Sequence, residues 1–339
     1  MKRRKFLATG VASVVSGATC NAAFAAVAEP QSVYDRSSEA DGLNPPGIRA
    51  AGVRLVPVVD NRHKVWTKRI GRGPVKVLLL HGGPGLSHEY LEAMESFLPE
   101  AGIEMYYYDQ LGSNNSDRPD DPSLWTLPRY VDEVEEVRNG LGLENFVLYG
   151  HGWGGILAIE YALRYQQHLR GLVISNMTAS IDAYVERTVQ LRQQLSAASL
   201  AQLTSLESSQ AYDSQEYTQI MMNEFYPKMF CRIKPWPDAV NRSLRHMNDR
   251  IHAQMQGKSE FAVTGNLKGW DRWNRLREIE TRTLTIGATF DKIDPADVKK
   301  MARLMPNARS VICQDGSHLC MWDDQAYYFH HLLKFLRTV

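Results

Sequence analysis

Cysteine is scarce, neither sign of charge is in excess, and no apolar run is long enough to hold a membrane. Each absence excludes a class of function. Four cysteines occur in 339 residues. Cys20 lies near the N-terminus, and Cys231, Cys313 and Cys320 form an odd remainder without metal-type spacing. That argues against a disulfide framework or a zinc site. Cys313 and Cys320 could pair only if the geometry allowed, and buried free thiols are the expected state. Lys2, Arg3, Arg4 and Lys5 are four of the 39 basic residues; the other 35 face 38 acidic ones, a net charge of −3. A chain this close to neutral has no electrostatic footprint for nucleic acid. There is no internal repeat and no low-complexity tract.

The first 28 residues read as a leader. A basic start with paired arginines, Arg3-Arg4, precedes a mild small-residue stretch from Ala8 to Thr19. Ala23-Phe24-Ala25 and Ala26-Val27-Ala28 each offer a small-x-small cleavage site. This is the pattern of a twin-arginine secretory signal, which predicts a periplasmic or secreted product with no membrane attachment after its removal. The apolar stretch is too short and weak to span a bilayer. Gly17-Ala18-Thr19 before Cys20 makes a poor lipoprotein site. Residues 29–50, rich in Ser, Pro and Asp, read as a loosely held lead-in.

Further along, strand and helix signals alternate. Val53 to Val58 and Lys64 to Lys68 alternate in polarity, as half-exposed antiparallel strands do. Val75 to Leu80, Glu104 to Tyr108, Phe146 to Tyr149, Leu172 to Ile174, Leu284 to Ile286 and Ser310 to Ile312 read as buried strands. Helical patterns fall at Tyr90 to Leu98, Leu127 to Asn139, Trp153 to Tyr165, Pro295 to Leu304 and Gln325 to Leu336. The alternation predicts an α/β fold: a mostly parallel, eight-stranded sheet covered on both faces, built from residues 51–176 and 278–339. Residues 177–277 break the rhythm. Helices over Asp182 to Leu195 and Asp238 to Met255 suggest an inserted helical cap above the strand ends, where α/β proteins bind ligands.

Four loops carry the chemistry. Gly150-His151-Gly152-Trp153-Gly154-Gly155 follows a strand and opens a helix, the setting of the G-x-S-x-G nucleophile elbow. Glycine stands where the serine belongs. His81-Gly82-Gly83-Pro84-Gly85 follows the third strand and can offer backbone donors; with Gly83 and Trp153 N–H groups it would form an oxyanion hole. An orienting acid should follow the strand at Thr283 to Ile286. Asp294 precedes Pro295 as an N-cap and Asp297 suits the helix's first turn, which leaves Asp291. His318, in the loop after the last strand, completes the chain order nucleophile, acid, base. Asp109, after the fourth strand, is either a support of the glycine-rich loop or an ordinary polar turn.

These motifs resemble the proline iminopeptidase family of α/β-hydrolases, including its tricorn-interacting aminopeptidase and L-amino acid amidase branch. The resemblance rests on His81 to Gly85, on Asp109-Gln110-Leu111-Gly112 with Ser116, on the elbow apart from Gly152, and on Asp315 to His318 with Met321-Trp322. It implies Ser-His-Asp hydrolysis of a short peptide or amino acid amide with a free amino group and a proline or small apolar first residue. It implies cap glutamates that grip that amine, for which Glu260 and Glu224 are the candidates, and no metal or organic cofactor. Because acid, base and oxyanion loop are all present, the favoured expectation is a hydrolase whose nucleophile was replaced and whose turnover is severely impaired. An esterase or xenobiotic amidase on the same fold, a non-catalytic amino-acid-binding relative, and chemistry that needs no serine are the alternatives.

Overall fold

The computed structural model describes residues 51–339. The leader expected at 1–28 and the lead-in expected at 29–50 lie outside the described residues. Two alternating strands, β1 (Val53–Val58) and β2 (His63–Ile70), pair antiparallel at one edge of the sheet. β3 (Val75–Leu80), β4 (Ile103–Tyr108), β5 (Phe146–His151), β6 (Leu169–Ser175), β7 (Thr283–Ala288) and β8 (Ala308–Cys313) follow. The sheet order is β1-β2-β4-β3-β5-β6-β7-β8, with every pair from β4 onward parallel. The central strands are fully buried, as apolar runs covered on both faces must be.

The pleat divides the core. Leu78, Leu80, Phe146 and Leu148 point to the face covered by α1 (Leu127–Leu141), α2 (Trp153–Tyr165) and a later helix. Val77, Leu79, Val147 and Tyr149 point to the other face, closed by the 3₁₀ segment His88–Ser96 and the C-terminal helix. The pattern at Tyr90 to Leu98 thus forms a 3₁₀ stretch rather than an α-helix.

Between β6 and β7 the cap runs through α3 (Ile181–Arg192), α4 (Ala197–Ser208), α5 (Gln215–Ile220), a π-helical turn at Met221–Phe225, α6 (Tyr226–Met229), α7 (Asp238–Arg245) and α8 (Asp249–Met255). Its first part has a core of its own, in which Leu191, Leu203, Ile220, Phe225 and Phe261 meet. Its last part does not: Val240 of α7 joins one main core, and Ile251 and Met255 of α8 join the other. The expected helix from Asp238 to Met255 is two helices. The break falls where Asn248 leaves helical geometry, accepts from Ile251 N as an N-cap, and donates Nδ2 to Gly112 O. After β7, α9 (Pro295–Leu304) begins at Asp294, whose side chain accepts from Ala296 N. α10 (Cys320–Asp323) and α11 (Gln325–Leu336) end the chain. Cys231, Cys313 and Cys320 are buried free thiols. Among the described residues no helix is long and apolar enough to cross a membrane.

The turn from β5 to α2 packs closely against the end of β3. A Cβ on Gly154 would stand 2.2 Å from Leu80 O and 2.9 Å from His81 O, both backbone atoms that cannot move aside. Gly154→Ala is expected to destabilise the protein by about 3 kcal/mol, the scale of core overpacking, read as a lower urea midpoint with unchanged slope.

Candidate active site

Gly152 sits at the end of β5 with φ 54° and ψ −123°, outside ordinary L-residue territory, and serves as the N-cap of α2. Glycine takes this corner without a Cβ penalty. The position nonetheless has room: a Cβ there would lie 3.4 Å from His318 Nε2 and 3.9 Å from Gly82 Cα, ordinary contact distances. Trp153 begins α2, so its N–H is one of the first-turn donors that have no intrahelical acceptor. Gly82, Gly83, Gly152, Trp153 and His318 all line one cavity of about 220 Å³ beneath the cap.

The imidazole facing Gly152 is held from behind. His318 Nδ1 donates to Asp291 Oδ1 at 2.8 Å, because a carboxylate can only accept. The lone pair of Nε2 therefore faces the elbow. Asp291 is fully buried and receives two more donors, Asn176 Nδ2 at 2.7 Å on Oδ2 and Ile293 N at 3.1 Å on Oδ1. The other two acids weighed beside it are occupied elsewhere. Asp294 caps α9, and Asp297 accepts from Thr178 Oγ1 at 3.0 Å, its pKa raised by burial.

A second set of bonds ties the loops together. Gly82 N donates to Tyr90 OH (2.7 Å), Tyr90 OH pairs with His151 Nδ1 (3.0 Å), and His151 Nε2 pairs with the carbonyl of His318 (2.9 Å). The carbonyl fixes Nε2 as the protonated nitrogen, so Tyr90 donates to Nδ1. Burial first, then the neighbouring His318, hold the His151 pKa well below the usual value, so the relay is neutral. Gln110 braces the same loop: its Nε2 donates to His81 O, its N–H to His81 Nε2, and its Oε1 accepts from Trp153 Nε1. Asp109 instead holds His88 and Asn115, just beyond the glycine-rich loop. Burial opposes its charge, but the hydrogen bonds and positive field of His88 outweigh that and lower its pKa to about 2.

The two cap glutamates part company. Glu260 lines the cavity; Glu224 does not. Glu224 lies in the π-helical turn, and its carboxylate accepts from Ser196 N (2.9 Å), Ser196 Oγ (3.1 Å) and Ser199 Oγ at the start of α4. Its local sequence does not report which way that irregular turn points, and its carboxylate is engaged at α4 rather than at the cavity wall. Glu260 is nearly buried and already paired: Lys292 Nζ lies 2.5 Å from Oε1, with side-chain exposures of 15 % for Lys292 and 11 % for Glu260. Tyr184 OH donates to the same oxygen and Tyr226 OH to Oε2 at 3.3 Å. Burial pushes the carboxyl up, but the charge and hydrogen bond of Lys292 prevail and bring it down to about 2. Lys292, Asn176, Tyr90 and His151 are site residues that sequence reasoning did not single out for these positions. Among the described residues no group of three or more His, Cys, Asp or Glu side chains is arranged to hold a metal ion.

An elbow at a strand-to-helix corner, a histidine and acid from the two following loops, and a helical cap over the strand ends define an α/β-hydrolase. The family model described as alpha/beta hydrolase fold matches residues 76–325. Among curated relatives, a proline iminopeptidase of Elizabethkingia meningoseptica is 47 % identical over 292 residues, covering 84 % of this chain and 98 % of that protein. One from Flavobacterium johnsoniae is 45 % identical over 280 residues, covering 81 % and 94 %. Among solved structures, VinJ superposes with a TM-score of 0.80 at 31 % identity, covering 87 % of this chain and 99 % of that one. The proline iminopeptidase of Mycobacterium smegmatis gives 0.77 at 29 %, covering 84 % and 98 %. The chain belongs to the proline iminopeptidase family of α/β-hydrolases.

Two measurements bear on this geometry. Gly152→Ser is expected to fold but to lose about 1–3 kcal/mol, the cost of an L-residue in strained backbone, read by urea denaturation. Glu260, depressed in the folded state, contributes stability that is fully present above its unfolded value near 4.5 and is lost as pH falls toward 2. Over that window the stability of Glu260→Gln is expected to fall less steeply than that of the parent, by roughly 3 kcal/mol across the full range.

Proposed function

We propose that this site is built for hydrolysis of an amide next to a free amine, releasing an N-terminal proline or small apolar residue from a short peptide or amino acid amide. The observation that carries the reading is the His318–Asp291 pair with Nε2 aimed at the elbow position of residue 152, beneath an apolar cap. In that frame a seryl Oγ on residue 152 attacks the carbonyl while His318 Nε2 takes its proton. Asp291 holds the imidazole in its tautomer and stabilises the imidazolium, and the N–H groups of Gly83 and Trp153 receive the oxyanion. His318 then returns the proton to the departing amine, and water resolves the acyl-enzyme by the same route. Glycine has no oxygen to offer, so no acyl-enzyme forms. The chain as written is a binding-competent but chemically arrested hydrolase.

Glu260 is the carboxylate available to the ligand's amine, through Oε2, its less committed oxygen. A second reading, an esterase or xenobiotic amidase for uncharged acyl groups, draws support from one observation: the Lys292–Glu260 pair leaves that wall without net charge. The leader expected at residues 1–28 points to twin-arginine export and a periplasmic or secreted location, which replacement of Arg3 and Arg4 by Lys tests through loss of export.

Serine knockouts in comparable triads cost on the order of 10⁶ in turnover. Gly152→Ser is therefore expected to raise hydrolysis of L-amino acid amides or arylamides by at least ~10³-fold over the parent. On that background, Glu260→Gln should lower kcat/KM for an amine-bearing amide by about tenfold or more, the scale of a charged hydrogen bond, while a simple p-nitrophenyl ester loses little. A folded Gly152→Ser protein that cleaves neither amides nor esters, yet binds amino acid amides, would identify a binding protein.

A further inference from the structure

The cavity carries its own ammonium. Lys292 directly follows Asp291 in the chain, and its Nζ enters the cavity wall rather than solvent. Three features make it a ligand-facing group and not only a prop for Glu260. Its Nζ lies 5.7 Å from the ring of Tyr184 and 6.0 Å from the ring of Phe230. Phe230 in turn stacks on His318 at 5.9 Å between centroids, so one aromatic ring separates Lys292 from the base. Lysine also has three N–H donors, and Glu260 Oε1 accepts only one of them. The neighbours in the cavity wall, Tyr184, Tyr226 and His252, are otherwise neutral: the tyrosine hydroxyls are pushed far up by burial, and burial lowers the pKa of His252.

This bears on what Glu260 can recognise. A ligand ammonium and Lys292 are like charges seeking one nearly buried carboxylate. With Lys292 on Oε1, only Oε2 is left, and two cations sharing a single carboxylate repel strongly where water is largely excluded. From this geometry we infer that Lys292 is a specificity-determining residue, occupying from within the chain the cation seat at Glu260, so that an amine-bearing ligand binds only by sharing or displacing it. Ligands whose nitrogen is acylated do not meet this competition. The inference rests on the proposal that amide ligands occupy this cavity, and it adds that a side chain of the protein itself offsets part of the amine's gain at Glu260.

The test is calorimetric binding to the full chain at pH 8, with L-prolinamide and N-acetyl-L-prolinamide as probes. Lys292→Gln removes the charge and keeps a donor toward Glu260. It is expected to tighten L-prolinamide by about tenfold or more and to leave the acetylated probe within about twofold, whereas Lys292→Arg, which keeps the cation, should behave like the parent. Lys292→Met provides a second neutral variant with the same expectation if the glutamine form does not melt cooperatively. Unchanged or weaker L-prolinamide binding to the neutral variants overturns the inference and leaves the functional reading intact. Equal changes for both probes also overturn it, because they mark a purely structural role. If folded parent and variants bind neither probe, the functional reading fails and takes the inference with it.

Discussion

One hydrogen bond organises the site: His318 Nδ1 to Asp291 Oδ1. It sets the tautomer of the imidazole, and through it the direction of the lone pair on Nε2. Asp291 is itself held in a fully buried position by Asn176 Nδ2 and the backbone N–H of Ile293. A buried carboxylate without such donors would shed its charge. The glycine-rich loop and the corner at Gly152 line the same cavity as the imidazole so oriented.

On the proposed reading, Gly152 removes the chemistry and spares the frame. At φ 54° a glycine relieves strain that any other residue stores, so losing the oxygen and easing the backbone come together. Nothing nearby has collapsed toward the corner, and the space for a Cβ beside His318 is intact.

Much of the fold was legible because its signals are local. Alternation at β1 and β2, continuous apolar runs in the central strands, and glycines at the β5–α2 turn all reflect short-range constraints. The acid could be argued from its neighbours, since Asp294 before Pro295 and Asp297 in a first turn had other employment. What could not be read depends on distant partners. Tyr90, His151 and His318 lie in three separate stretches of the chain, and no spacing shows that one proton-bearing relay joins them. Likewise nothing local in Thr289-Phe290-Asp291-Lys292 says that the lysine turns inward to meet Glu260. Glu224, a candidate from the resemblance alone, is engaged by Ser196 and Ser199 at the start of α4, partners that no local pattern around it reports.

The loop bearing the base is not supported by the sheet alone. His318 N donates to Met229 O and Leu319 N to Phe230 O, both at the end of α6 in the cap. The main chain of the base thus hangs partly from the roof of the cavity. On the proposed reading, a bulky ligand that lifted the roof would also tilt the imidazole, which makes size discrimination and proton-transfer geometry mechanically one property.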